Sequence, residues 1–224
     1  MLLKKIDSEG NYTEFPGVTV IASVGNQNQE LWLGIYQFLR NSTVLLPYFK
    51  PLPYESYHMT TQHLYTQRAH FNNWVDFINS KLGLLQQLYQ RLTKTPFRPE
   101  LSIENMNSIG SLQLNVSIPP KQYDLITSIA NEFGLQKMIP RVFHITLAYE
   151  YKMIEHESDY VAVQQEIATL LSLCLKHQQK LLLNPPQLCF FHSMEQFILW
   201  DATTNPFTEN HITAPILDVF EPSY

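Results

Sequence analysis

Glycine is scarce in this chain, 7 of 224 residues, and no glycine-rich loop of the kind that cradles a nucleotide's phosphates is present. Cysteine is scarcer, with only Cys174 and Cys189, and neither has zinc-site spacing. Two isolated cysteines in apolar stretches read as buried free thiols of a reducing compartment, not as a disulfide framework. No stretch approaches the ~20 apolar residues of a membrane span. The opening segment Met1-Leu2-Leu3-Lys4-Lys5-Ile6-Asp7 lacks the apolar core of a signal peptide. A cytoplasmic location is therefore expected, with export by a route that needs no cleaved signal left open.

A basic stripe is missing as well. Lysine and arginine number 15 against 20 acidic residues, a net charge of −5, and they are scattered along the chain. A protein that grips long duplex nucleic acid concentrates its cations on one face, so that class is excluded. A small phosphorylated substrate, a nucleotide or an RNA end remains, because a pocket needs few charges. No His-Glu-x-x-His pattern and no calcium-loop pattern occurs, and neither a metal nor another cofactor is expected. Glu155-His156-Glu157 is locally rich in ligand types, but adjacent side chains diverge, and it reads as a solvated charged turn.

What is present is the composition of an ordinary globular protein, 45% hydrophobic and 16% charged. Val18 to Val24 reads as a strand, and Gln29 to Arg40 as a helix with Leu31, Ile35, Phe38 and Leu39 on one face. A loop marked by Pro47, Pro51 and Pro53 leads to a strand at about Ser56 to Gln62. A long helix, Phe71 to Leu92, precedes a hairpin formed by Leu101 to Met106 and Ser111 to Ile118. Pro119-Pro120 starts a helix that Gly134 ends. Then come a strand at Arg141 to Tyr151, a helix capped by Ser158 and running to about Leu182, and a closing hairpin of Gln187 to His192 with Gln196 to Trp200. The order predicts one α+β domain over residues 1–224, two-lobed and monomeric. Antiparallel or mixed sheets would line a central cleft, with helices packed outside.

Two of the strands carry the chemistry. Tyr57-His58-Met59-Thr60 and Phe143-His144-Ile145-Thr146 each present a histidine and, two residues on, a threonine. Residues i and i+2 of a strand share a face, so each segment sets an imidazole beside a hydroxyl. Around His144 that face holds Val142, Thr146 and Ala148, while Phe143, Ile145, Leu147 and Tyr149 make an apolar core face. Around His58 it holds Ser56, Thr60 and Gln62. His63, the fifth residue after His58, points away on this alternation. Arg141 is a candidate phosphate partner, although its odd position places it nominally on the other face. A third copy, His211-Ile212-Thr213, lies in the terminal segment with no helix after it and reads as coincidence.

The paired His-Met-Thr and His-Ile-Thr strands, with the Phe15-Pro16-Gly17-Val18-Thr19-Val20-Ile21 strand ahead of them and the Phe191 to Trp200 hairpin behind, resemble the 2H phosphoesterase superfamily. Its members include RNA 2′,3′-cyclic phosphodiesterases, the so-called 2′-5′ RNA ligases and 2′-5′-oligoadenylate phosphodiesterases, which work in RNA processing. The long approach loop and the Tyr57-His58-Met59-Thr60-Thr61 segment look closer to an uncharacterised branch. The resemblance implies that His58 and His144 are the acid–base pair and that Thr60 and Thr146 hold phosphate oxygens. It also implies that a 2′,3′-cyclic substrate is left as a 2′-phosphate. The chemistry stands without the family: imidazoles titrate near pH 6.5, so a base and an acid coexist near neutrality and no metal is required. The alternative is a module of the same fold that binds a nucleotide or a protein partner without turnover.

Overall fold

The computed structural model describes residues 4–25, 28–70, 72–176 and 180–208. In chain order they form β1 (Gly17–Ser23), α1 (Gln29–Asn41), β2 (Phe49–Pro51), β3 (His58–Thr66), α2 (Trp74–Lys94), β4 (Glu100–Asn107) and β5 (Ser111–Ser117). There follow α3 (Pro120–Glu132), β6 (Phe143–Glu150), α4 (Glu157–Lys176), β7 (Leu181–Leu182), β8 (Gln187–Phe191) and β9 (Ile198–Leu199). The strands join in the order β7-β4-β5-β6-β3-β1-β8-β9, with β2 added on β6. Every pairing is antiparallel, which settles the choice left open between antiparallel and mixed sheets.

Two apolar cores explain the two lobes. In the first, α1 offers Leu31, Trp32, Ile35 and Leu39, and α4 offers Val163, Ile167, Leu170 and Cys174, all at helical spacing. These residues pack with Leu112, Leu114, Ile145 and Leu147 of β5 and β6. In the second, Ile78, Leu85 and Leu88 of α2 and Ile129 of α3 meet Val18 and Val20 of β1, Leu64 of β3 and Leu188 of β8. Each fully buried side chain of this size contributes roughly 1.5–3 kcal/mol of transfer free energy. Strand β1 serves both lobes, because its Ala22 belongs to the first core, as does Val24 just beyond its end.

Local signals set several boundaries. Pro120 occupies the first turn of α3, where its missing N–H costs nothing. Gly134 ends that helix at φ +67, with Leu135 N–H donating to Ala130 O at 2.8 Å and Gly134 N–H to Asn131 O at 3.2 Å. That pair of bonds is a Schellman cap. Elsewhere the structure departs from the sequence reading. The proline-marked loop contains β2, which ends on Pro51 and pairs with Glu150, Tyr149 and Ala148 of β6. Ser158 lies within α4 instead of capping it, and the helix does not reach Leu182. Leu181 and Leu182 leave it to pair with Leu101 and Glu100 as β7, which buries Leu181 at the edge of the sheet. His211-Ile212-Thr213 lies outside the described residues. Among the described residues no helix is long and apolar enough to cross a membrane.

Candidate active site

The two lobes meet where β3 pairs with β6, and they do so through a single registered pair, Met59 with Ile145. Both of these side chains are fully buried in the first core. The strand alternation then turns their neighbours, His58, Thr60, His144 and Thr146, to the opposite side. One step along the antiparallel register sets His58 across from Thr146 and Thr60 across from His144. The motifs are thus related by an approximate two-fold axis through the Met59–Ile145 pair. All four side chains line one cavity of about 890 Å³.

The two histidines are held alike. Nδ1 of His58 lies 2.6 Å from the carbonyl of Ser56, and Nδ1 of His144 lies 3.1 Å from the carbonyl of Val142. A carbonyl can only accept, so in each ring Nδ1 carries the proton and Nε2 keeps its lone pair. Burial pushes His58 down to about 4, against a weaker opposing effect of its bond to Ser56 O and with help from the charges of His144 and Lys5. His144 is lowered by the same loss of hydration, again opposed by its carbonyl bond and assisted by Lys5. Both are therefore neutral bases near pH 7. The His58 ring also rests on Phe197 at 4.2 Å between centroids, and Phe197 rests on Phe191 at 5.0 Å. Phe191 in turn fills the space a side chain would occupy at Gly17, where an added Cβ would sit 2.3 Å from its Cζ. The hydroxyls of Thr60 and Thr146 are half-buried and make no hydrogen bond among the described residues.

Three further groups reach this cavity, and the sequence reading missed each of them. His63 is the first. Along β3 the partners on β1 run from Ile21 opposite Thr60 to Val20 opposite Gln62, so Thr61 is an extra residue in a β-bulge. The bulge resets the alternation and brings His63 into the cleft with His58, its ring 6.5 Å from that of His144. Loss of hydration, with the charges of His144 and Lys5, pushes His63 down to about 4. The second is Tyr149, and the cause is the same. On β6, Leu112 pairs with Ala148 and Gln113 with Thr146, so Leu147 is the extra residue. Tyr149 stays buried in the first core, as its assigned face requires, and also lines the cavity. His63 and Tyr149 stand at the same distance after the histidine of their respective motifs. The third is Lys5, whose Nζ donates to Tyr149 Oη at 3.2 Å and lies over the rings of Tyr149 and Phe15 at 5.0 and 5.7 Å.

Arg141 is not brought in. Strand β6 begins only at Phe143, so Arg141 falls in the exposed bend before it and does not line the cavity. Glu155, His156 and Glu157 are likewise exposed at the start of α4. Beyond His63 the cavity continues along β3 past Tyr65, Arg68 and His70 to Phe77 and Lys81 of α2, where His70 and Phe77 stack at 3.7 Å. Among the described residues no aspartate or glutamate lines it, in a protein that is acidic overall. Four histidines, His58, His63, His70 and His144, line the cavity, yet no cluster of three or more His, Cys, Asp or Glu suited to a metal ion occurs among the described residues. Cys174 and Cys189 are free, buried and away from the cavity.

Comparison with known proteins points the same way at the level of fold and family resemblance. A family model named 2H-phosphodiest, described as a domain of unknown function (DUF1868), matches residues 5–109, a span that includes Lys5, His58, Thr60 and His63. Uncharacterized protein 127L of Invertebrate iridescent virus 6 is 25% identical over 169 residues, covering 66% of this chain and 72% of the viral protein. Among solved structures, the conserved protein of unknown function ATU0111 from Agrobacterium tumefaciens str. C58 superposes with a TM-score of 0.64 at 18% identity. That match covers 88% of this chain and 89% of the bacterial one, and it shows a shared fold. The chain is thus similar in sequence to a 2H-phosphodiesterase-like family and similar in fold to a protein whose function is itself unknown.

Proposed function

We propose that this protein is a metal-independent phosphodiesterase of the 2H type that hydrolyses a 2′,3′-cyclic phosphate or a 2′-5′ phosphodiester in a nucleotide or RNA end. The observation that carries the reading is the near-symmetric pair of imidazoles, each fixed through Nδ1 to a carbonyl two residues upstream and each facing the other motif's threonine. The scissile phosphate sits between them. One Nε2 accepts a proton from water as the water oxygen bonds to phosphorus. The other ring gives its proton to the ester oxygen as the P–O bond breaks. The second ring acquires that proton when the substrate anion arrives, because a neighbouring negative charge raises an imidazole's pKa. Thr60 and Thr146 have unused hydroxyls to donate to the non-bridging oxygens, where charge grows in the transition state.

The test is hydrolysis of a panel of 2′,3′-cyclic nucleotides and 2′-5′-linked dinucleotides in excess EDTA, with the His58→Ala/His144→Ala double variant alongside. Turnover in EDTA that the double variant lacks supports the reading. Turnover that EDTA abolishes, or that survives in the double variant, refutes it. Tight nucleotide binding without turnover on any member would instead identify a binding module.

A further inference from the structure

The catalytic residues proposed above lack a permanent charge. The histidines, lowered by burial, are neutral near pH 7 and the threonines carry no charge, yet the substrate is an anion that must leave water to enter. A phosphate buried among neutral groups alone would lose more hydration than those groups return. The lysine beside the histidines is therefore the feature to explain.

Lys5 reaches the cleft from a small hairpin at the start of the chain. Ile6 bridges Tyr12, and Thr13 N–H donates to Lys5 O at 3.2 Å. Asp7 Oδ1 closes the turn by accepting from Glu9 N–H and Asn11 N–H at 2.9 and 2.8 Å. Tyr12 Oη fastens the hairpin to the sheet by donating to Lys50 O at 2.9 Å. The hairpin satisfies its own polar groups, so it holds Lys5 in a defined place. The ammonium makes no ion pair among the described residues, and no carboxylate lines the cavity to neutralise it. Arg68 and Lys81, the other permanent cations of the cavity, stand on its far arm beyond His63.

We propose that Lys5 is a substrate-binding residue, the fixed cation that receives the phosphate's non-bridging oxygens, with the N-terminal hairpin thereby a working part of the site. This rests on the phosphodiesterase reading for its substrate, while the anion site itself is testable without turnover. The hydrogen bond to Tyr149 orients the ammonium, and the anion supplies the counter-charge that no described side chain of the cleft provides.

Inorganic phosphate is the probe. Its affinity is to be measured by calorimetry for the intact chain, Lys5→Met and Lys5→Arg, with thermal unfolding of each. Losing a charged hydrogen-bond donor should weaken phosphate binding about 10- to 100-fold in Lys5→Met, and Lys5→Arg should restore most of it. Where a phosphodiester is turned over, KM rises more than kcat falls. Equal phosphate affinity in Lys5→Met and the intact chain overturns the proposal, as does no phosphate binding by the intact chain. A purely structural latch would lower the unfolding temperature of Lys5→Met and leave its affinity unchanged, which also overturns it. Lysine-dependent phosphate binding with no phosphodiester turnover leaves this site standing and removes the hydrolase reading alone.

Discussion

The desolvated imidazole of His58 makes stability depend on acid in a way that can be isolated. Its pKa is held to about 4, from an ordinary 6.5, chiefly by burial. A depressed histidine pKa means that the unfolded chain binds the proton more readily than the folded one. The stabilisation is therefore complete above about pH 6.5 and is lost as the pH falls toward 4. A shift of that size corresponds to about 3 kcal/mol at most, at 1.36 kcal/mol per pH unit. The ring borders an open cleft whose water offsets part of this, so about 1–2 kcal/mol is expected between pH 6.5 and 4.5. Urea unfolding of the intact chain and of His58→Gln at both pH values isolates the contribution, because other titrating groups cancel in the difference. The intact chain should lose about 1–2 kcal/mol more than the variant. An equal pH slope in both, or an intact chain that gains stability on acidification, would refute the argument.

Gly17→Ala should cost about 1–3 kcal/mol in chemical denaturation, because the new Cβ drives Phe191 toward Phe197 and so disturbs the ring stacked on His58. Phosphodiester turnover should fall with it, and unaltered stability would show that Phe191 yields freely. His63→Gln should lower kcat/KM by about 10-fold and flatten the acid limb of its pH profile, since a titrating neighbour 6.5 Å from His144 is lost. An unchanged profile would place His63 outside the chemistry. Arg141→Ala should leave kcat/KM within about twofold, its side chain being exposed and outside the cavity; a large loss would mean that the substrate extends over that bend.

The parts of this molecule that follow simple periodicity could be read from the chain, and the parts set by irregular backbone could not. His58 with Thr60, and His144 with Thr146, share faces because a period of two holds over three residues. The helices α1 and α2 were visible because their apolar residues recur at helical spacing. Tyr149 was placed correctly in the core, but its contact with the cavity and that of His63 escaped, because each lies beyond a bulge, at Thr61 and at Leu147, and neither bulge has a glycine or other local signal. Strand β2 was hidden by Pro51, which is tolerated at its end on the sheet margin, and by the prolines that flank it. Lys5 is distant in sequence from Tyr149 and both histidines, and only the folded hairpin brings it there.

The near two-fold symmetry of the motifs raises the question of which histidine is base and which is acid, and their surroundings differ enough to answer it. His58 is wedged against Phe197 and held down to about 4 by burial, while His144, also lowered by loss of hydration, lies nearer to solvent. A pair of titratable groups pushed apart by environment divides the roles, the harder to protonate serving as base. His58 is then expected to activate the water and His144 to protonate the leaving oxygen. An aryl phosphodiester separates the two, because a phenolate with electron-withdrawing substituents departs without a proton. His144→Ala should recover much of its lost rate on such an ester, whereas His58→Ala should remain slow on both kinds of substrate. Each general acid–base contribution is about 10²- to 10⁴-fold, so the contrast is large enough to measure. The opposite pattern, with His58→Ala rescued and His144→Ala not, would reverse the assignment and show that the bound phosphate, not the empty cleft, sets the order of protonation.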